Sequence, residues 1–256
     1  MGKITEHYRL NLPLRSDREK DYIYDLAEAL EQSSLSDVEK MMHFSLYCPR
    51  QSIACFLYKY ELFKRILNVH GSIIECGVAY GSGLMSFANF SSIFEPVNHT
   101  RKVIGFDTFE GFPSLTDKDN QHGDPNAKQG GMKVESFDEL KRVVDVFDLN
   151  RFVGHIDKVE LVKGDITKTA PQYLEDNPHL VVSLLYLDLD LYEPTKTAIE
   201  TFLPRMPKGS IIAFDELNHP DWPGETQAVL EDIGINNLRI ERFPFDSVRS
   251  FAVIGG

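Results

Sequence analysis

Glu75-Cys76-Gly77-Val78-Ala79-Tyr80-Gly81-Ser82-Gly83 follows an apolar run that begins at Ser72 and leads into a helical pattern over Gly83–Phe94. A strand, a turn with three glycines and a helix, in that order, form the opening unit of an α/β sheet that binds ligands beyond the carboxyl ends of its strands. The glycines let the backbone pass close to a ligand and leave helix N–H groups facing it. The spacing is G-x-x-x-G-x-G with an acid before the first glycine, whereas a dinucleotide turn reads G-x-G-x-x-G. Hydride transfer is disfavoured accordingly, and no convincing Y-x-x-x-K pair supports it.

Outward from this turn, the pattern predicts strands at Ser72–Gly77, Lys102–Asp107, Val159–Lys163, Val182–Asp188, Ser210–Asp215, Leu238–Phe243 and Ser250–Ile254. The first five are near-continuous apolar runs, as in parallel strands buried on both faces. Helical spacing recurs between them at Glu135–Asp148, Thr169–Glu175, Pro194–Leu203 and Glu225–Ile233. The alternation predicts an α/β, doubly wound, mostly parallel seven-stranded sheet. Only Pro244–Arg249 separates the last two strands, too short for a crossover helix, so the last strand is antiparallel. Ahead of the sheet, helical patterns at Asp21–Glu31 and Ser36–Phe44 suggest an N-terminal helical cap over 1–50. A helix over Gln51–Val69 then opens the main domain, 51–256. The polar stretch Pro113–Lys133, with Gly123, Gly130 and Gly131, reads as a mobile loop over the site.

Composition narrows the partners. The 256 residues carry a formal net charge of −12, which leaves no broad basic field for nucleic acid or an anionic membrane. The charged beginning of the chain lacks the apolar stretch of a signal peptide, and no run approaches membrane-spanning length, so the chain reads as cytoplasmic. Cys48, Cys55 and Cys76 form no C-x-x-C pair and leave an odd thiol, which suits a reducing compartment.

The other strand ends are acidic. Asp107 closes the second strand, where a carboxylate can accept from both ribose hydroxyls of an adenosine ligand. Asp165 closes the third; it could accept from an adenine amino group, or simply cap the next helix ahead of Thr167. Phe106, Phe109 and Phe112 could offer apolar surface to the adenine or belong to the core. Asp188 ends the fourth strand and Asp215-Glu216 the fifth, and these strands should be neighbours. Carboxylates brought together repel unless protonated or sharing a cation, and hard oxygen ligands suit Mg²⁺, Mn²⁺ or Ca²⁺.

Four segments together resemble the macrocin O-methyltransferase family: Glu75–Gly83, Gly105-Phe-Asp-Thr-Phe-Glu-Gly-Phe-Pro113, Tyr186-Leu-Asp-Leu-Asp-Leu-Tyr-Glu-Pro-Thr195 and Ile211-Ile-Ala-Phe-Asp-Glu216. The resemblance spans about Arg50 to Ile233. It implies a Rossmann-like class I fold and a metal-assisted transfer of a methyl group from S-adenosylmethionine to a hydroxyl of a sugar, nucleotide-linked or on a natural-product glycoside. It also implies a homo-oligomer. By carry-over, Glu75 and Gly77 contact the methionine part, Asp107 the ribose and Asp165 the adenine side. Tyr80, Gly81, Ser82, Thr108, Phe109 and Asp188 line the same ligand.

Asp188, Asp215 and Glu216 are the candidate metal ligands, with Mg²⁺ the first choice and Mn²⁺ an alternative. Asp190 is the first candidate base, because the motif sets a second aspartate beside the metal; His219 is the alternative, titrating near neutral pH, and His122 a third. Relatives commonly have Asp-Asp or Asp-Asn where this chain has Asp215-Glu216, and often glycine at the position of Leu189. A catechol-type O-methyltransferase is the nearest rival and would need an apolar slot, for which Trp222, Phe44 and Tyr80 are candidates. A nicotinamide-dependent sugar-modifying oxidoreductase and a non-catalytic adenosylmethionine-binding module are more distant ones.

Overall fold

The structure is a computed structural model that describes residues 17–119 and 124–256. It divides into two compact units, with the boundary between Cys55 and Phe56. In the first lie α1 (Asp17–Glu31) and α2 (Asp37–Met42), followed by a 3₁₀ turn at Phe44–Leu46. Ser36 and Glu39 form a reciprocal capping box that starts α2. Helix α3 (Arg50–Ile66) carries the boundary between the units.

The second unit holds a six-stranded sheet in the order β3-β2-β1-β4-β5-β6. Its strands are β1 (Ser72–Cys76), β2 (Val103–Asp107), β3 (Val159–Lys163), β4 (Val182–Leu187), β5 (Ile211–Phe214) and β6 (Ser250–Val253). All neighbours are parallel except β5 and β6. The connecting helices are α4 (Ser82–Phe94), α5 (Phe137–Asp148), α6 (Ile166–Asp176), α7 (Tyr192–Phe202) and α8 (Gly224–Asp232). Strand alternation sorts the core into two layers. Ile73, Val103, Leu184, Tyr186 and Ile211 pack with Tyr58, Leu62 and Phe63 of α3 and with Leu84 and Phe87 of α4. Ile74, Ile104, Leu185, Ile212 and Phe214 pack with Ala170 of α6, Ile199 and Phe202 of α7 and Val229 of α8.

The expected seventh strand is absent as such. Over Leu238–Phe243 a single antiparallel bridge, Glu241 to Phe251, is all that forms. Phe251 exchanges both backbone bonds with Glu241, but the run lies outside the sheet's last strand with only Phe243 buried, and Pro244 removes the next donor. The antiparallel last strand holds, and its main partner is β5. The stretch expected to be a mobile loop is anchored on both sides of 120–123: Phe112 exchanges backbone bonds with Gly130 and Gly131, and buried Asp119 accepts from the Tyr192 N–H at 2.6 Å. Among the described residues no helix is long and apolar enough to cross a membrane, and all three cysteines are free thiols.

The sheet turns over between β1 and β4, and there Gly77 sits at φ 91°. A Cβ on it would lie 1.7 Å from the Asp188 carbonyl oxygen, a contact no side chain can make. Gly77→Ala is therefore expected to cost about 3 kcal/mol or more, read as a lower urea midpoint. An unchanged midpoint would show that the turn relaxes around a methyl group.

Candidate active site

The glycine turn is held in shape by Asp107. Its Oδ2 accepts from the Val78 and Ala79 N–H groups, each at 2.8 Å, and its Oδ1 from the Phe109 N–H at 2.6 Å. The carboxylate read as a ribose acceptor thus also clips the ends of β1 and β2 together. Gly81 then caps α4 in a left-handed conformation, φ 84°. A Cβ on Gly83 would meet Glu75 Oε1 at 1.9 Å and Lys59 Cε at 2.7 Å. Glu75 and Lys59 therefore share the space beneath the first turn of α4.

Register explains which acids meet. Glu75 stands opposite Tyr186, and Tyr186 opposite Ala213. Two residues further on, Asp188 and Asp215 continue on the same face, and β5 ends at Phe214 before Glu216. On the first face, Tyr186 Oη donates to Asp215 Oδ1 at 2.6 Å, and the Arg249 Nε–H does so at 2.6 Å. Lys59 Nζ donates to Tyr186 Oη at 3.2 Å and lies 4.3 Å from that ring's centroid. Arg249 is steadied from behind by Asp246, 3.1 Å from its Nη1. Two buried or half-buried cations thus face the acids of this layer.

Burial pushes the Glu75 carboxyl up to about 8; Lys59 opposes the shift, and Asp215 and Asp107 add to it. Burial also holds Asp188 well above the usual carboxylate range, aided by Asp215 and Asp190. The same cause, with Glu216, Asp215 and Asp124, raises Asp190. Asp190, not Leu189, takes the left-handed conformation in the turn after β4, at φ 59°. The substitution of leucine for glycine at 189 therefore meets no conformational conflict.

Past the end of β5, Glu216 is pushed up to about 7 by burial and then by Asp215, with Arg249 opposing. Its Oε2 is buried with no hydrogen-bond partner and lies 3.4 Å from His219 Nδ1. Glu225, fully buried, accepts from the Glu216 N–H at 3.1 Å. Among the described residues, no three His, Cys, Asp or Glu side chains are grouped so as to hold a metal ion. Asp215, one of the three expected ligands, is already paired with Arg249 at 2.6 Å.

Several other candidate residues serve local structure. Asp165 caps α6, accepting from the Thr167 N–H at 3.0 Å and from its hydroxyl at 2.7 Å. The Thr108 hydroxyl donates to Gly111 O within its own turn. Phe109 is buried against Phe137, ring centroids 5.1 Å apart. Tyr80 and Ser82 are exposed at the turn. Trp222 is buried against Phe112; Tyr80 and Phe44 are exposed. His122 lies outside the described residues. Lys59, Tyr186, Arg249, Glu225 and Asp119 were not singled out from the sequence. Tyr186 carried a usable signal, two residues before Asp188 on the same strand face; Arg249, at the start of the last strand, carried one only once β6 is placed beside β5.

The macrocin O-methyltransferase (TylF) family model matches residues 63–231. No curated protein matches the chain. Among solved structures, CalS11, a calicheamicin methyltransferase, is 36% identical with a TM-score of 0.91, over 94% of this chain and 95% of that one. An apo structure of CalS11, described as a TDP-rhamnose 3'-O-methyltransferase of calicheamicin biosynthesis, is 33% identical with a TM-score of 0.82, over 94% and 96%. The O-methyltransferase NovP, 21% identical with a TM-score of 0.62 over 78% and 79%, shares the fold.

Glu75 gives this site a pH signature. Its folded-state pKa is raised from 4.5 to about 8, so the stability it contributes is full below about 4.5 and lost as the pH rises through about 8. Glu75→Gln does not titrate. The melting temperature of that variant relative to wild type should rise steadily between about pH 5 and 9. A constant difference would show that Lys59 keeps Glu75 ionised throughout.

Proposed function

Since the chain belongs to the macrocin O-methyltransferase family, and is thereby an S-adenosylmethionine-dependent O-methyltransferase, we propose that its acceptor is a hydroxyl of a nucleotide-linked deoxysugar. The observation that carries this reading is the contact of Gly77 with the Asp188 carbonyl. It sets the glycine turn, where the donor binds in this fold, against the turn that bears Asp188 and Asp190. The likeness to CalS11 over nearly the whole of both chains supports the sugar nucleotide in particular.

The residues fit the donor. Gly77 and Gly81 give the turn its positive-φ shape, the Glu75 carboxyl has a buried oxygen without a hydrogen-bond partner, and Asp107 keeps lone pairs beyond those its clip uses. When bound, S-adenosylmethionine supplies a methyl group on a sulfonium centre. The chain must then orient an acceptor oxygen and remove its proton, since a sugar hydroxyl is a poor nucleophile until the proton leaves. Asp190 is the proposed base: burial and the neighbouring Glu216, Asp215 and Asp124 raise its proton affinity, which suits a group that takes a proton and holds it. His219, beside Glu216, is the next group able to pass that proton to solvent.

A hard divalent cation also suits the chemistry of the donor set. Asp188, Asp215 and Glu216 offer carboxylate oxygens, and one buried Glu216 oxygen lacks a hydrogen-bond partner. As they stand these three are not grouped around one ion position among the described residues; drawn together, they would hold Mg²⁺ or Mn²⁺, which would lower the pKa of the acceptor hydroxyl. Arg249 would then share Asp215 with the metal.

Mass detection of methylated product across nucleotide-linked deoxysugars tests the acceptor; transfer confined to aromatic diols would sink the sugar reading. Asp190→Asn should lower kcat by roughly 10²–10⁴-fold with the donor dissociation constant unchanged in calorimetry, and wild-type turnover would move the base to His219. EDTA should abolish turnover and added Mg²⁺ restore it, while undiminished activity in chelator would remove the metal from the reaction.

A further inference from the structure

The first turn of α8 carries Gly224, Glu225 and Thr226 and grips the segment that follows β5. Strand pairing stops at the Asp215 N–H, which Leu187 O accepts at 3.0 Å. The next amide, that of Glu216, has no strand partner and is taken by Glu225 Oε1 at 3.1 Å. Two residues on, the Asn218 N–H is taken by Thr226 Oγ1 at 2.9 Å, and Asn218 itself lies at φ 69°. Gly224 brings the helix this close: a Cβ there would stand 2.5 Å from Tyr192 N and 2.9 Å from Asp190 O. One helix turn therefore abuts the Asp190 turn and fixes the two amides that frame Glu216 and precede His219.

Glu225 is an unusual choice for a plain amide acceptor. It is fully buried, and its Oε2 has no hydrogen-bond partner, an arrangement that costs folding free energy. It also lies among the carboxylates of Asp215, Asp190 and Glu216.

We propose that Glu225, together with Thr226, is a positioning residue of the acceptor side: by holding the 216 and 218 amides it sets where Glu216 and His219 stand relative to Asp190. The inference rests on the reading that these acids face the acceptor. It assigns to α8 a part in orienting the sugar and none in binding the donor.

The test uses the full chain with Glu225→Ala, Glu225→Gln and Thr226→Val. Glu225→Ala should speed amide exchange at Glu216 by about tenfold or more and lower kcat/KM for the sugar nucleotide by about tenfold, chiefly through KM, with the S-adenosylmethionine dissociation constant unchanged. Glu225→Gln, whose amide oxygen can accept the same N–H, should restore most of both. Thr226→Val should free the Asn218 amide with a smaller loss in kcat/KM. Parallel loss of donor binding and acceptor use would mean a structural role and overturn the proposal. So would faster exchange with unaltered kcat/KM, or a glutamine variant as impaired as the alanine one. If Glu225→Ala does not fold, the glutamine and Thr226 variants carry the same comparison. Should the wild type transfer no methyl group to any sugar nucleotide, the acceptor reading fails, while the exchange data still report whether α8 holds the segment.

Discussion

The contact between Gly77 and the carbonyl of Asp188 constrains the rest of this protein. Two parallel strands that wind outward in opposite directions leave a crevice at their carboxyl ends, and here the crevice is as narrow as backbone contact allows. Backbone bonds continue past the strands at this end, from Gly77 N–H to Phe106 O and from Asp188 N–H to Cys76 O, both 2.9 Å. The turns after β1, β2 and β4 are therefore in register with one another. Asp107 extends the same lock sideways by accepting from two amides of the glycine turn. The glycine turn and the acids that follow β4 therefore stand close together.

Such crowding has an electrostatic cost, and the fold answers it with cations drawn from outside the crowded strands. Lys59 comes from α3, and Arg249 from the residue just before β6. The antiparallel sense of β6 makes the second possible. Ser250 pairs with Phe214 at the carboxyl end of β5, so the residue preceding Ser250 falls beside the residue following Phe214, and Arg249 reaches Asp215. A parallel last strand would begin at the opposite end of the sheet and bring its preceding residue nowhere near the acids. Tyr186 joins the two cations, accepting from Lys59 and donating to Asp215. The buried carboxylates of this face are thus paired or neighboured by positive charge, as buried charges must be.

Much of this was legible in the sequence, for physical reasons. Continuous apolar runs mark strands covered on both faces, and five such runs became β1 to β5, because burial on both sides leaves no room for alternation. The run over Leu238–Phe243 misled because β-propensity does not register where a strand lies in the sheet; beyond the last strand and just before Pro244 the same residues form one bridge. The strand-end acids were legible from position alone. Their partners were not: Lys59 precedes β1 by a whole helical turn and more, Arg249 lies far along the chain, and Glu225 reads as an ordinary residue of a first helical turn. Contacts fixed by tertiary approach leave no periodicity to detect. Asp165 shows the converse, a residue with two readings whose capping geometry is plainly formed.

The carboxyl end of β5 sets two acids with unlike partners side by side. Asp215 and Glu216 are adjacent in sequence and look like one bidentate acidic unit, yet β5 ends at Phe214, and past it the two side chains meet different groups. Asp215 follows Ala213 toward Tyr186, Lys59 and Arg249, where its charge is matched. Glu216 turns toward α8, where it meets His219 and an amide acceptor, Glu225, that brings more negative charge. The pair therefore divides the work. Asp215 is matched by Tyr186 and Arg249, whereas one Glu216 oxygen is buried without a hydrogen-bond partner. Under the proposed reading, in which Asp190 takes the acceptor proton, the negative charge of Glu216 and Asp215 beside it raises that acid's affinity for the proton.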